Sequence, residues 1–308
     1  MERKVEINNK IKALIDNVEK VIVGKRDIIE LIVAAMLAGG HVLIEDVPGV
    51  GKTQLVSALA KSCQGEFGRI QMTPDVMPTD VTGFTMIDTV THENQFRKGA
   101  VFCNFLLADE INRSSPKSQS ALLETMEERQ VSIDSVTYQL PKPFMVLATQ
   151  NSVETYGTYH LPEAQMDRFM MRISIGYPGR EEEIKMALQF LENKTPDSIE
   201  RACTAEEIME LKKAVEQVEV KESVIGYIED LVNLTRKEET YQYGISPRGM
   251  LALIRASQAK AFLCERDFVK PDDVKDVAES VLLHRLTLTA EAKIRKMDAK
   301  SVLKSLML

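Results

Sequence analysis

The sequence predicts an α/β protein with a parallel sheet flanked by helices, followed by a smaller all-helical part. Three observations predict this fold class. Short apolar runs alternate with helical runs over the first 180 residues or so, a pattern typical of βα units. A glycine-rich segment joins the first of these apolar runs to the next helical run. Beyond about residue 180, helical periodicity dominates and we expect no further strands.

The predicted strands are almost continuously apolar, as expected for strands buried on both faces of a sheet. They cover residues 41–45, 67–72, 104–108, 144–149 and 171–175. The predicted helices cover 27–38, 52–63, 116–129, 162–169, 181–192, 205–217, 222–237, 247–264 and 271–284. Two segments interrupt the alternation: 73–103, rich in Thr, Pro and Gly, and 130–142, which predicts a short hairpin. A boundary near 177–200 divides the chain into domains 1–190 and 191–308. The basic C-terminal tail, which begins at Thr289, has no predicted helix or strand.

Composition limits the classes of function. The 308 residues include 39 basic and 46 acidic ones, a net charge of −7, which gives no bulk electrostatic reason to bind nucleic acid or an anionic membrane. A local basic groove is compatible with this net charge. The sequence contains no apolar run near the roughly 20 residues of a membrane span and no signal-peptide pattern at the N-terminus, so we expect a cytoplasmic protein. The four cysteines lie far apart in sequence, and we expect them reduced and mostly buried.

The segment HVLIEDVPGVGKT, residues 41–53, predicts a phosphate-binding loop. Its glycines let backbone N–H groups surround phosphate oxygens at the start of the following helix. Lys52 would contact the β- and γ-phosphates of a nucleotide, and the Thr53 hydroxyl would coordinate Mg²⁺. Asp46 replaces the first glycine of the P-loop pattern G-x-x-x-x-G-K-S/T, which alters the turn but not the phosphate cradle. The candidate nucleotide-binding residues are Val47, Pro48, Gly49, Val50, Gly51, Lys52, Thr53 and Gln54.

Polar residues follow two later strands. The run FLLADEINR, residues 105–113, ends its apolar part at Asp109 and Glu110, at the edge where α/β sheets bind their ligands. Asp109 would hold Mg²⁺ through its water shell, and Glu110 would polarise the attacking water. Asn151 follows FMVLATQ and would orient that water, although an Asn at a strand end is by itself typical of a turn.

Two arginines are weaker candidates. Arg168 follows Asp167 in LPEAQMDRF, where a surface arginine alone is usually a solvated charge. Arg248 lies in GISPRG, in the first turn of a helix that begins at Ser246 and Pro247. Because a cation near a helix N-terminus is electrostatically unfavourable, this position predicts a nearby anion.

Together these segments resemble the AAA+ ATPases, and more closely the MoxR family among them. The resemblance covers residues from about 20 to 285 and is most specific over 106–130. The resembling segments are VPGVGKT, RIQMTPDVMPTDVTG, LLADEINRSSPKSQSALLETMEERQV, ATQN, GTYHLPEAQMDRF and SPRG. The resemblance implies that Asp109 and Glu110 form Walker B, Asn151 is sensor 1, Arg168 is the arginine finger, Arg248 is sensor 2, and Val23 and Gly24 belong to the stretch that holds adenine.

The resemblance also implies an architecture and a class of activity. Residues 73–98 resemble the helix-2 insert, 130–142 the pre-sensor-1 hairpin, and the helical C-terminal part the AAA+ lid. The family implies a hexameric, chaperone-like ATPase that assembles or activates protein complexes. Its partners often carry a von Willebrand factor A domain.

The leading hypothesis is therefore a ring-forming ATPase that uses ATP and Mg²⁺ to remodel protein clients. A metal-chelatase motor subunit shares the insert topology but would need a dedicated partner. A nucleic-acid motor is disfavoured by the net charge and by the few basic residues of the insert and hairpin: Arg97, Lys98 and Lys142. Glu110 and Arg168 argue against a P-loop module that binds a nucleotide without hydrolysing it.

Overall fold

The computed structural model describes residues 2–47, 49–90, 92–151, 158–191 and 199–307. Its strands, in chain order, are β1 (Val42–Glu45), β2 (Phe67–Gln71), β3 (Gly83–Ile87), β4 (Asn94–Lys98), β5 (Phe105–Asp109), β6 (Gln130–Ile133), β7 (Val136–Gln139), β8 (Met145–Gln150), β9 (Met171–Ile173), β10 (Tyr241–Tyr243) and β11 (Thr287–Leu288). Its helices are α1 (Glu2–Val21), α2 (Arg26–Leu37), α3 (Lys52–Ser62), α4 (Pro78–Thr82), α5 (Pro116–Glu128), α6 (Glu163–Met166), α7 (Arg180–Leu191), α8 (Ala205–Glu216), α9 (Glu222–Lys237), α10 (Pro247–Leu263), α11 (Pro271–Leu282), α12 (Ala290–Ile294) and α13 (Ala299–Leu306).

A five-stranded sheet of order β2-β5-β8-β1-β9 confirms the predicted α/β fold class. β2 pairs with β5 and β5 pairs with β8, both in parallel register. The central strands are fully buried, as their apolar sequences require; Leu106, Leu107, Val146 and Leu147 are each 0% exposed. Because parallel strands end at the same edge of a sheet, the residues that follow β5 and β8 lie side by side.

The two interrupting segments form hairpins. The first contains α4 and an antiparallel pair, β3–β4, with Gly83 opposite Lys98. The second is the predicted hairpin: β6 and β7 pair with Gln130 opposite Gln139. Between them α5 begins where the sequence indicates, since the Ser115 hydroxyl accepts a hydrogen bond from Ser118 N and Pro116 occupies the first helical position.

Two sequence predictions need correction. The helix expected over 162–169 is shorter, because α6 ends at Met166 and the Met170 N–H donates to the His41 carbonyl at 2.8 Å instead of continuing the helix. The expectation of no strand after residue 180 is wrong: β10 pairs with β11, with Tyr241 opposite Leu288. Strands of three and two residues are too short to leave an alternating pattern in the sequence.

The C-terminal tail is ordered into α12 and α13, each with a side-chain cap. Thr289 accepts from Ala292 N, and Asp298 accepts from Lys300 N and Ser301 N. Cys63, Cys103 and Cys203 are buried as expected, whereas Cys264 is exposed, and all four are free thiols. No helix in the described part of the chain has the length and hydropathy that a membrane span requires.

Internal contacts divide the chain into two compact units. The first comprises Met1–Ile29, Leu43–Leu161 and Ser174–Met209. The second comprises Glu30–Val42, Pro162–Ile173 and Glu210–Leu308. The first contains the P-loop and the carboxyl ends of β5 and β8, and the second contains most of the C-terminal helices.

An ion pair with a buried carboxylate stabilises the second unit at the start of α11. The Asp273 side chain is 3% exposed, accepts from Arg266 Nη1 at 2.6 Å and from Arg266 Nη2, and caps the helix through Lys270 N at 2.7 Å. Asp273 raises the pKa of the Arg266 guanidinium by hydrogen bonding to it. The Asp273 carboxylate thus accepts hydrogen bonds from both the Arg266 guanidinium and the N-terminal end of α11.

Replacing Asp273 with Ala should lower the free energy of unfolding of this unit by about 3 kcal/mol, since it leaves Arg266 without its carboxylate and removes the cap. Urea unfolding followed by circular dichroism measures the change. Asp276→Ala, on the same helix, is the matched control because its contact with Lys260 is 3.7 Å long and half exposed; it should cost about 0.5 kcal/mol or less. An equal decrease in the free energy of unfolding in the two variants would show that the Arg266–Asp273 pair stabilises the protein no more than an exposed ion pair does.

Candidate active site

The predicted phosphate-binding loop connects β1 to α3. Gly49 and Gly51 have φ angles of 87° and 85°, in the left-handed region that favours glycine, and Gly51 is the N-cap of α3. Lys52 and Thr53 therefore lie in the first turn of the helix, where free N–H groups attract anions. Pro48 lies outside the described residues. The backbone of the loop fits the predicted phosphate cradle.

Lys52 lies among acidic groups. Its Nζ donates to the backbone carbonyl of Asp46 at 3.1 Å. Burial lowers the pKa of Lys52, while the charges of Asp109, Asp46 and Glu110 oppose that shift. The backbone N–H of Asp46 donates in turn to the Gln150 carbonyl at the end of β8, the strand that pairs with β5.

A cavity of about 260 Å³ adjoins the loop. Its lining includes Gly49, Val50, Gly51 and Gln54 of the loop and α3, together with Val21–Val23 from the end of α1 and Ile175–Pro178 from the segment after β9. Val23 thus lines the cavity beside the P-loop. Gly24 follows with a φ of 72°, and a Cβ there would overlap the Glu182 side chain, so this position requires glycine.

Asp109 is fixed by two donors at the end of β5. The Thr149 hydroxyl donates to Oδ1 at 2.6 Å, and Arg69 Nη2 donates to Oδ2 at 3.0 Å. The same Thr149 oxygen accepts from the backbone N–H of Glu110 at 2.8 Å. Thr149 therefore ties the end of β8 to both acidic residues, a connection that the sequence did not predict.

Glu110 has an unusual backbone. Its φ and ψ are 56° and 51°, the left-handed region, which costs a non-glycine residue about 1 kcal/mol. Its Oε2 accepts from Gln71 Nε2 at 2.7 Å and from Arg113 Nη1 at 2.9 Å. Strain of this kind clusters at functional sites, where the surrounding structure holds it in place. The sequence did not predict the roles of Gln71 and Arg113.

Asn151 follows β8 and is 6% exposed. The residue before it, Gln150, accepts from Asp46 N at 3.2 Å, so this strand end adjoins the start of the P-loop. The first unit therefore brings together the P-loop, Asp109, Glu110 and Asn151. Thr53 and Asp109 are suitable oxygen ligands for Mg²⁺, and no cluster of three or more His, Cys, Asp or Glu side chains in the described residues forms a metal site of its own.

Arg168 and Arg248 belong to the second unit, in which their segments meet. The Asp167 side chain accepts from Ser246 Oγ at 3.2 Å, and Ser246 is the N-cap of α10, whose first turn holds Arg248. Arg168 is half-buried and Arg248 is exposed. The second unit thus connects the two candidate arginines through their neighbours.

Arg285 is a further residue of this cluster that sequence analysis missed. It is 4% exposed and donates to Asp167 Oδ1 at 2.5 Å and to the Phe169 carbonyl at 2.7 Å. Burial lowers the pKa of Arg285, the hydrogen bond and charge of Asp167 oppose that shift, and the charge of Arg248 adds to it. No local motif marks a contact between residues 118 positions apart.

Two family models match the chain. Residues 41–171 match the ATPase family associated with various cellular activities (AAA), and residues 233–306 match the AAA lid domain. The first match includes the P-loop, both acidic residues, Asn151 and Arg168. The second includes Arg248.

Similar proteins share most of the length of this chain. An uncharacterised protein of Bacillus subtilis strain 168, YeaC, is 48% identical over 95% of this chain and 92% of its own. Chaperone MoxR1 of Mycobacterium tuberculosis is 40% identical over 92% of this chain and 77% of its own. A crystal structure of a protein from Cytophaga hutchinsonii superposes with a TM-score of 0.93 at 40% identity, covering 99% of this chain and 96% of that one.

Replacing Lys52 with Ala should weaken ATP binding by at least about tenfold, because it removes the cation that faces the β- and γ-phosphates. A fluorescent ATP analogue measures the affinity, and circular dichroism checks the fold. Lys61→Ala, near the other end of α3 and exposed, is the matched control and should bind like the wild type. Wild-type affinity in Lys52→Ala would refute the assignment of the phosphate site.

Proposed function

The chain belongs to the MoxR family of AAA+ ATPases, and we propose that it binds Mg²⁺-ATP at the P-loop and hydrolyses it to remodel protein complexes in the cytoplasm. The observation that carries the proposal is the connection between the P-loop and the end of β8, where the Asp46 N–H donates to the Gln150 carbonyl. Thr149, beside Gln150, contacts both Asp109 and Glu110. A phosphate-binding cation and two carboxylates at one sheet edge are the groups that phosphoryl transfer to water requires.

In this proposal the P-loop residues bind the nucleotide, and the residues at the strand ends activate and orient the attacking water. The N–H groups of the loop and Lys52 hold the β- and γ-phosphates, while Val23 and the segment after β9 contact the base. Thr53 would coordinate Mg²⁺ and Asp109 would hold it through its water shell, and the bound ion would neutralise charge on the phosphates. Glu110 accepts a proton from the attacking water, and Asn151 orients that water.

The network around Glu110 positions its carboxylate for this role. Gln71 and Arg113 donate to one of its oxygens, and Thr149 holds its backbone N–H. Because both side-chain donors contact Oε2, they fix the orientation of the carboxylate. These donors therefore support a general base at position 110.

We further propose that hydrolysis requires assembly into a ring, with six subunits as the resemblance implies. Arg168 would act as an arginine finger on the nucleotide of a neighbouring subunit, where such residues contribute about 10³–10⁵ in kcat. Arg248 would couple the nucleotide state of the site to the position of the lid. The link from Asp167 to Ser246 supports joint movement of the two arginines.

Client contact is proposed for the hairpins of the first unit. Phe84, Ile87 and Val90 on the β3–β4 hairpin are 45%, 62% and 86% exposed, and Val136 on the β6–β7 hairpin is 50% exposed. The rings of Phe96 on the first hairpin and Tyr138 on the second stack with centroids 4.0 Å apart, so the two hairpins are neighbours. Exposed apolar side chains on neighbouring elements favour protein binding. The name of the related Chaperone MoxR1 and the family resemblance support protein complexes as clients, with a von Willebrand factor A domain protein as a partner.

Glu110→Gln should keep ATP affinity within about threefold and lower turnover by at least about 100-fold, because an amide cannot accept the proton of water. Phosphate release and nucleotide binding measure the two effects separately. Glu128→Gln, at the exposed end of α5, is the matched control and should retain full turnover. Turnover that persists in Glu110→Gln would assign proton transfer to another residue.

Arg168→Ala should bind ATP normally and hydrolyse it at least about 100-fold more slowly, since the finger acts on a neighbour's nucleotide. Specific activity of the wild type should rise with protein concentration, measured beside sedimentation velocity. Mixing Arg168→Ala with Glu110→Gln should restore part of the turnover, because a mixed interface pairs an intact Arg168 with an intact Glu110.

Arg180→Ala, in the exposed first turn of α7, is the control for loss of a surface arginine and should leave turnover unchanged. A wild-type protein that stays monomeric and turns over ATP at a rate independent of its concentration contradicts the ring proposal.

A further inference from the structure

Asp46 occupies the position at which the P-loop pattern has its first glycine, and it is 7% exposed. Its Oδ2 accepts hydrogen bonds from the backbone N–H groups of Ile175 and Gly176, the second at 3.0 Å. Ile175 is itself buried. A glycine at position 46 has no side chain with which to make these contacts, so the replacement adds a connection that the common P-loop pattern lacks.

The segment that Asp46 holds is one wall of the nucleotide cavity. Ile175, Gly176, Tyr177 and Pro178 all line it, and the P-loop residues Gly49–Gly51 line it as well. All of these residues belong to the first unit. The lining after β9 is largely apolar, which suits a base, whereas the loop offers N–H groups, which suit phosphates.

We propose that Asp46 is a positioning residue for nucleotide recognition. Its carboxylate ties the wall at 175–178 to the P-loop, so that the base and the triphosphate of one nucleotide enter a single preformed site. The inference rests on the proposed function, because it concerns the same ATP site. It explains how that site would bind a nucleotide in preference to a polyphosphate that has no base.

The side chain and the backbone of residue 46 have separable roles. Lys52 contacts the backbone carbonyl, which any residue supplies. Within the described residues, the hydrogen-bond donors to the carboxylate are Ile175 N and Gly176 N, which both belong to the wall. The charge of Asp46 also acts on Lys52, but Asp46→Ala and Asp46→Asn both remove that charge, so comparing them isolates the hydrogen bonds. Removing the carboxylate leaves two N–H groups without an acceptor, one of them on the buried Ile175, and the wall must shift to satisfy them. Loss of the side chain should therefore weaken contacts with the base and spare those with the phosphates.

The test compares Mg²⁺-ATP with Mg²⁺-tripolyphosphate by isothermal titration calorimetry. In Asp46→Ala, ATP affinity should fall by about tenfold or more and tripolyphosphate affinity should stay within about twofold. Asp46→Asn is the matched control, because its amide oxygen is placed to accept both N–H groups, and it should bind ATP within about threefold of the wild type. Amide hydrogen exchange at 175–176 should quicken in the Ala variant alone.

Equal losses for both ligands in Asp46→Ala would overturn the inference, because Asp46 would then shape only the phosphate loop. Unchanged ATP affinity would overturn it as well. Asp46→Glu, which keeps the charge but displaces the oxygens by one methylene, supplies the same comparison if Asp46→Ala does not fold, with an expected loss of about threefold or more for ATP alone. A wild-type protein that binds no Mg²⁺-ATP contradicts the proposed function itself.

Discussion

The parallel register of β2, β5 and β8 is the constraint on which the candidate site depends. It places Gln71 opposite Asp109 and aligns Ala108 with Ala148, so that the residues beyond each strand emerge at one edge. Thr149 then reaches Asp109 and the N–H of Glu110, while Gln71 reaches the Glu110 carboxylate. A one-residue slip in any of these strands would turn these side chains to the other face and disperse the site.

The electrostatics of the site follow from that arrangement. The carboxylates of Asp109, Glu110 and Asp46 favour the charged form of Lys52, which burial disfavours. Arg69 and Arg113 in turn neutralise Asp109 and Glu110. Bound phosphates would add negative charge beside Lys52 and the N-terminus of α3. Both carry positive charge already in the unbound protein, so they would stabilise the phosphates without rearrangement. The charges of Lys52, Asp109 and Glu110 therefore depend on one another.

Local sequence motifs define one part of the candidate site, and long-range contacts define the rest. The P-loop glycines, Lys52 and the Asp109–Glu110 pair each follow from a short pattern at the end of an apolar strand, and the structure gives the loop its left-handed glycines. The contacts of Asp46 with Ile175 and of Arg285 with Asp167 span 129 and 118 residues, and no spacing rule reveals them. The strands β10 and β11 escaped prediction because tertiary pairing, not local preference, forms such short elements.

The proposed function requires that this edge of the sheet is a Mg²⁺-dependent ATP hydrolysis site. The decisive measurement is steady-state phosphate release by the purified wild-type chain across a Mg²⁺ titration, at a protein concentration that permits assembly. We expect release that saturates with ATP, rises with Mg²⁺ and stops when EDTA is added in excess. Absence of phosphate release at every Mg²⁺ and protein concentration, or release that EDTA does not affect, would contradict it.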